Sequence, residues 1–281
     1  MRLLRLSLAA LALAAVVAAT RVQADPPAAP QTTELGRGTT IVFLHSLGAG
    51  RMDWMPTARK LIGRYRVVLV DLPGHGTSAL PDPFSLEAAA EMVDGIIAKQ
   101  KAESTVVVGQ GVGGLIALKA VAAHPEHSRG LLLIDTAIKS PIPVEEQQMT
   151  MMQRFMDENY ATFLQMAFSK MGRDSTESAR LFAMMSAAPP ATVKAYLRML
   201  FRADGNPDLK ALKTPPSLVF TERMWHSGTS WGTLAKAAGY NDSTFATPRR
   251  MADAGMLVMK DQPDSLAAIV ADFANARVAA K

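Results

Sequence analysis

Five short apolar runs, at residues 41–44, 67–70, 105–108, 131–134 and 217–220, constrain this chain more than any other feature. Four of them run into Gly, Asp or Glu within two residues. An amphipathic strand alternates apolar and polar residues. A continuous run of this length reads instead as a strand covered on both faces, the condition of a parallel sheet. Helical patterns at 54–62, 86–99 and 115–123 lie between the runs. Strand and helix therefore alternate, which predicts an α/β fold with a mostly parallel, doubly wound sheet. The 49% hydrophobic content of the 281 residues is enough to cover such a sheet.

The ends of the sequence read differently. Arg2 and Arg5 precede an Ala/Leu/Val run to Ala19, and Val22-Gln23-Ala24 follows as a small-residue cleavage signal. That is the pattern of a secretory leader, expected over 1–24 and removed after Ala24, with a retained anchor as the competing reading. A periplasmic or secreted protein follows, with no stable membrane span after cleavage. Residues 25–38, rich in Pro, Ala, Thr and Gly, read as a linker. The formal charge of +5 includes three leader arginines, so the mature form would carry about +2, which gives nucleic-acid binding little support. With no Cys, disulfides, Cys-ligated metal and a thiol nucleophile are excluded. No cofactor or metal is expected.

Residues 140–213 break the alternation. The segment is helix-like throughout, with candidates at 144–168, 177–185 and 192–201, and reads as a helical cap inserted into a core of 39–139 and 214–281. It is dense in methionine (Met149, Met151, Met152, Met156, Met166, Met171, Met184, Met185 and Met199). These serve either as ordinary flexible packing or as an adaptable apolar wall over a ligand.

Three motifs stand in order along the predicted core: Leu44-His45-Ser46-Leu47-Gly48 after the first run, Asp71-Leu72-Pro73-Gly74-His75-Gly76-Thr77-Ser78 after the second, and Gly109-Gln110-Gly111-Val112-Gly113-Gly114 after the third. Together they resemble the α/β-hydrolase family, its capped esterase and lactonase branch, over about 39–273. The resemblance implies an α/β-hydrolase fold in which the first motif is the oxyanion loop and the third the nucleophile elbow. Such an elbow holds a nucleophile at the centre of Gly-x-nucleophile-x-Gly. Here the centre is Gly111, with neither hydroxyl nor carboxylate. The family's histidine position falls at Met256, within Gly255-Met256-Leu257 and before Gln262-Pro263, and a thioether is no general base. The aspartate's place falls at Met224; Glu222 and Asp135 are nearby acids with no histidine to orient.

These absences point to a pseudo-hydrolase that keeps its pocket. The backbone N–H groups of Leu47 and Val112, with Ser46 beside them, would still bind a carbonyl or carboxylate of a small apolar ligand. No Ser, Cys, Asp or Glu side chain is expected in the nucleophile's place. His45 and His75 read as structural, with His45 and His226 kept as possible ligand contacts, and His124 and His127 as exposed residues at a helix end. Two alternatives remain open: ester hydrolysis by a weak or non-standard mechanism, drawing on His45 or His226 as base or on the oxyanion site alone, and a role in binding a protein partner.

Overall fold

The computed structural model describes residues 29–140, 145–240 and 248–279. The expected leader and the start of the expected linker lie outside the described residues. No described helix is long and apolar enough to cross a membrane.

The strands are β1 (Thr32–Gly36), β2 (Thr39–Leu44), β3 (Tyr65–Val70), β4 (Thr105–Gln110), β5 (Leu131–Ile134), β6 (Ser217–Thr221) and β7 (Arg249–Met251). They form one sheet in the order β1-β3-β2-β4-β5-β6-β7. All neighbours pair in parallel except β1, which runs antiparallel to β3. The helices outside the β5–β6 connection are α1 (Met55–Leu61), α2 (Leu86–Ile97), α3 (Val112–Ala123), α9 (Trp231–Ala237), α10 (Val258–Asp261) and α11 (Pro263–Ala279). Between β5 and β6 lie α4 (Glu146–Glu158), α5 (Tyr160–Phe168), α6 (Ser175–Ala187), α7 (Pro190–Arg202) and α8 (Asn206–Ala211).

The period-2 geometry of a strand sorts its apolar run into two cores. Val42, Leu44, Val68, Val70 and Val107 face one cluster with α2, α3 and residues of the inserted helices. Ile41, Phe43, Val67, Leu69, Val106 and Val108 face the other, packed by α1 and α11. A one-residue slip of any of these strands would exchange the two sets, so the continuous runs fix coverage on both faces while packing fixes register.

Residues 32–36, expected to belong to a linker, form the edge strand β1 instead. A strand with one paired edge and little buried area needs no apolar run, and only Leu35 of the segment is a large apolar residue. The helix expected over 144–168 is broken at Asn159, whose backbone (φ −131°, ψ 45°) ends α4 and begins α5. Of the methionines in the insertion, Met149, Met156 and Met185 are buried while Met151 and Met166 are exposed. Ser85 and Asp174 cap α2 and α6 by accepting the N–H of Ala88 and Glu177, each cap contributing about 1 kcal/mol.

Candidate functional site

The site is built where β4 turns into α3. Gly111 sits between them with φ 54° and ψ −123°, a backbone conformation that a residue with a Cβ holds only under strain. Its N–H donates to the Ile134 carbonyl, and its own carbonyl accepts from Gly114 and Leu115. The strand therefore stops and the helix starts within one residue. At Gly113 a Cβ would stand 2.3 Å from the His45 carbonyl oxygen, so the elbow and the loop after β2 meet backbone to backbone.

That contact delivers Ser46. Its Oγ lies 2.4 Å from the position that a Cβ on Gly111 would take, and the side chain is buried. The expectation of an empty nucleophile place is thereby corrected: the Ser46 hydroxyl, from the loop after β2, occupies the space that a side chain on Gly111 would fill. Glycine at 111 makes this possible, since any Cβ there would expel Ser46. Leu47 and Val112 flank the same point, both nearly buried. Neither of their N–H groups donates to a backbone carbonyl among the described residues, and Val112 opens α3, where helix N–H groups lack internal partners.

His45 and His75 are placed away from proton-transfer work. His45 Nδ1 donates to the Ser46 carbonyl at 2.8 Å, and its Nε2 accepts the Leu72 N–H at 3.0 Å. Burial pulls its pKa down to about 4. His75 bonds the Pro73 carbonyl through Nδ1 and accepts the Gly48 N–H through Nε2 at 3.3 Å, and burial pulls it down to about 3. Both rings are neutral braces with each nitrogen engaged, so the sequence-derived use of His45 as a ligand contact or base is not available to it. His226 is exposed on the loop after β6, lining a cavity of about 500 Å³ with Met171, Arg173, Glu222 and Arg223. Among the described residues no histidine hydrogen-bonds a serine hydroxyl.

The two candidate acids serve as ties. Asp135, at φ 44° after β5, accepts the Thr221 N–H at 2.7 Å and the Thr221 hydroxyl at 2.6 Å, which clamps β5 to β6. Burial raises its pKa, with the Arg223 charge opposing. Glu222 pairs with Arg250 and accepts the Asp253 N–H at 2.9 Å. Met224 packs half-buried against the core.

Met256 is held beside the elbow, because Gln110 Nε2 donates to its carbonyl at 2.6 Å. Next to it lies a residue that sequence reasoning missed. Glu177, buried on α6, accepts the Leu257 N–H at 3.2 Å and the Arg173 N–H at 2.6 Å, and its carboxylate stands 2.1 Å from where a side chain on Gly255 would begin. The inserted helices are thus locked onto the loop that carries Met256. Met185 of the same helix has its sulfur 2.8 Å from the Cβ position of Gly48, covering the loop that carries Ser46. Asp174-x-x-Glu177 carries an ordinary helix-start signature, which hid the second task of Glu177. The bare Gly255 facing it was the available signal.

Comparison with known proteins bears on this geometry. The model of the alpha/beta hydrolase family matches residues 41–269. A pimeloyl-[acyl-carrier protein] methyl ester esterase of Pseudoalteromonas atlantica is 28% identical over 199 residues, covering 66% of this chain and 76% of the relative. An esterase from Thermogutta terrifontis superposes with a TM-score of 0.69 at 20% identity, covering 90% of this chain and 97% of its own. A hydrolase from Oleispira antarctica gives the same score at 16% identity, covering 87% and 94%.

Proposed function

This chain belongs to the alpha/beta hydrolase family, and from that premise we propose that it takes a small ester-type substrate at the Gly111 elbow and acts on it slowly, without a serine–histidine relay. The observation that carries the reading is Ser46 Oγ, 2.4 Å from the Cβ position of Gly111, with Leu47 and Val112 next in sequence to the two residues that meet there. The name of the curated relative, a methyl ester esterase, supports ester chemistry over a purely inert scaffold.

A substrate carbonyl oxygen accepting from the Leu47 and Val112 N–H groups would place its carbon against Ser46. Addition of the Ser46 hydroxyl gives a tetrahedral adduct whose oxyanion those donors stabilise. Collapse expels the alcohol, which takes up the hydroxyl proton, and water then releases the acid from Ser46. Preorganised donors act without help from a base, and a hydrolase site stripped of its triad retains roughly 10³ to 10⁴ over water. With no imidazole to take the proton, the rate constant belongs well below the roughly 1–10³ s⁻¹ of ordinary enzymes.

A second reading, binding of the carbonyl or carboxylate ligand with no turnover, is favoured by Gly111 and Met256 standing at the nucleophile and base positions. Hydrolysis of a p-nitrophenyl ester series by the wild type and by Ser46→Ala separates the two. The primary reading expects slow, saturable turnover lost in the variant. Hydrolysis no faster than the uncatalysed background in both proteins, with carboxylic acids still raising the melting temperature, establishes the binding protein instead. The leader-like residues 1–24 support export to the periplasm or medium as part of the same proposal.

A further inference from the structure

At the far end of α3, about 18 Å along the helix from the elbow, two histidines and a buried carboxylate converge. His124 ends α3, His127 follows in the next turn, and Asp94 projects from the last turns of the neighbouring α2. One ligand atom from each of the three lies within 4.8 Å of the other two. His127 Nδ1 is 2.9 Å from Asp94 Oδ1, and His124 Nε2 is 3.8 Å from Asp94 Oδ2. A tetrahedral zinc ion with bonds of about 2.0–2.1 Å needs its ligand atoms about 3.3 Å apart. Taken to the single oxygen Asp94 Oδ2, the two histidine nitrogens stand at 3.1 and 3.8 Å, on either side of that value.

The other nitrogen of each ring supplies an independent observation. His124 Nδ1 is 3.4 Å and His127 Nε2 is 3.7 Å from the same Glu126 Oε1. Each imidazole therefore turns one nitrogen to Asp94 and the other to Glu126. His124 has the arrangement of a metal-bound histidine, in which the nitrogen away from the ion donates to a carboxylate that fixes the ring, while His127 Nε2 at 3.7 Å is beyond hydrogen-bond reach. The rings are stacked, 5.1 Å apart with 13° between planes; because an imidazole lone pair lies in its ring plane, joint ligation requires one ring to rotate about its Cβ–Cγ bond. Asp94 is nearly buried while His124 and His127 are partly open to solvent, leaving room for water as a fourth ligand.

We propose that Asp94, His124 and His127 bind a divalent transition-metal ion, zinc above all, with Glu126 as the outer carboxylate that orients the His124 ring. Two imidazoles with one carboxylate suit zinc, copper or nickel and disfavour magnesium or calcium, which prefer all-oxygen sets. The ion would fasten α2 to the end of α3, which begins at the Gly111 elbow. It lies outside the ester site and does not depend on that reading.

The test is calorimetric titration of zinc chloride into the metal-free full chain, purified without a polyhistidine tag, at pH 7.5. One zinc per chain is expected, with no saturable heat from magnesium. His124→Ala and His127→Ala should each abolish saturable binding, and Glu126→Gln should weaken it about 10- to 100-fold. Far-UV circular dichroism of the variants must match the wild type; should a histidine variant misfold, Asp94→Asn carries the same expectation. Absence of saturable binding to wild type overturns the proposal. So does binding that survives in both histidine variants, since the cluster is then a set of ion pairs at a helix end. Unchanged affinity in Glu126→Gln overturns the role given to that carboxylate.

Discussion

Replacing Gly111 by serine puts back the side chain that an elbow ordinarily carries, and the structure sets its cost. At φ 54° a residue with a Cβ stores about 1–3 kcal/mol of strain. The new Cβ would also stand 2.4 Å from Ser46 Oγ and 3.2 Å from Ser46 Cβ, so Ser46 must swing out of the slot. Together these predict a loss of about 2–3 kcal/mol, and at 2–4 °C per kcal/mol for a domain of this size the melting temperature should fall by about 4–12 °C. Differential scanning calorimetry of the wild type, Gly111→Ser and Gly111→Ser/Ser46→Ala checks both parts. The double variant should recover part of the loss, because removing Oγ relieves the closest contact and leaves the backbone strain. A Gly111→Ser protein as stable as wild type would refute the claim that Ser46 fills the nucleophile's space. Equal losses in the single and double variants would locate the whole cost in the backbone and refute the clash.

Gly111→Ser alone should show no ordinary esterase turnover, whereas adding Met256→His should raise p-nitrophenyl acetate hydrolysis at least about tenfold above the single variant, since general-base assistance contributes 10²–10⁴ when well placed; equal rates contradict the assignment of Met256 to the base position. Glu177→Ala removes the acceptor of two N–H groups and should cost about 2 kcal/mol or more; a melting temperature unchanged within a degree contradicts its role as a latch. His45 and His75 fold with pKa values of about 4 and about 3, below the 6.5 of the unfolded chain. The unfolded state therefore binds more protons below pH 6.5. The stability they contribute is full above that pH and is lost as pH falls toward 4 and 3, by roughly 2 kcal/mol each at pH 5. Urea unfolding at pH 7 and pH 5 measures it, and a flat profile that His75→Asn leaves unchanged contradicts it.

What was legible in the sequence followed from backbone requirements. The runs of β2 to β6 announced themselves because strands covered on both faces leave no polar position. Gly109, Gly113 and Gly114 marked the elbow because only glycine permits that close approach. The edge strand β1 and the three-residue β7 were not legible as apolar runs: one has a single large apolar residue, the other reads Arg249-Arg250-Met251. At the candidate site the glycine at 111 and the methionine at 256 were visible, but what packs beside them was not. Ser46 reaches the elbow from a loop 65 positions away in sequence, and Glu177 reaches Gly255 from the inserted helices. Such substitutions are set by tertiary contact alone, and no local pattern records them. The Asp94, His124, His127 grouping was missed likewise, since Asp94 sits 30 residues before His124 on another helix.

The most direct test of the central claim asks whether Ser46 is the atom that meets the substrate. Wild-type protein is incubated with an activated short-chain ester, quenched in acid, and mapped by peptide mass spectrometry. The acyl group is predicted on Ser46, below stoichiometric level at early times and absent from Ser46→Ala. Ester turnover with no acyl group on Ser46 at any time, and undiminished in Ser46→Ala, would contradict it.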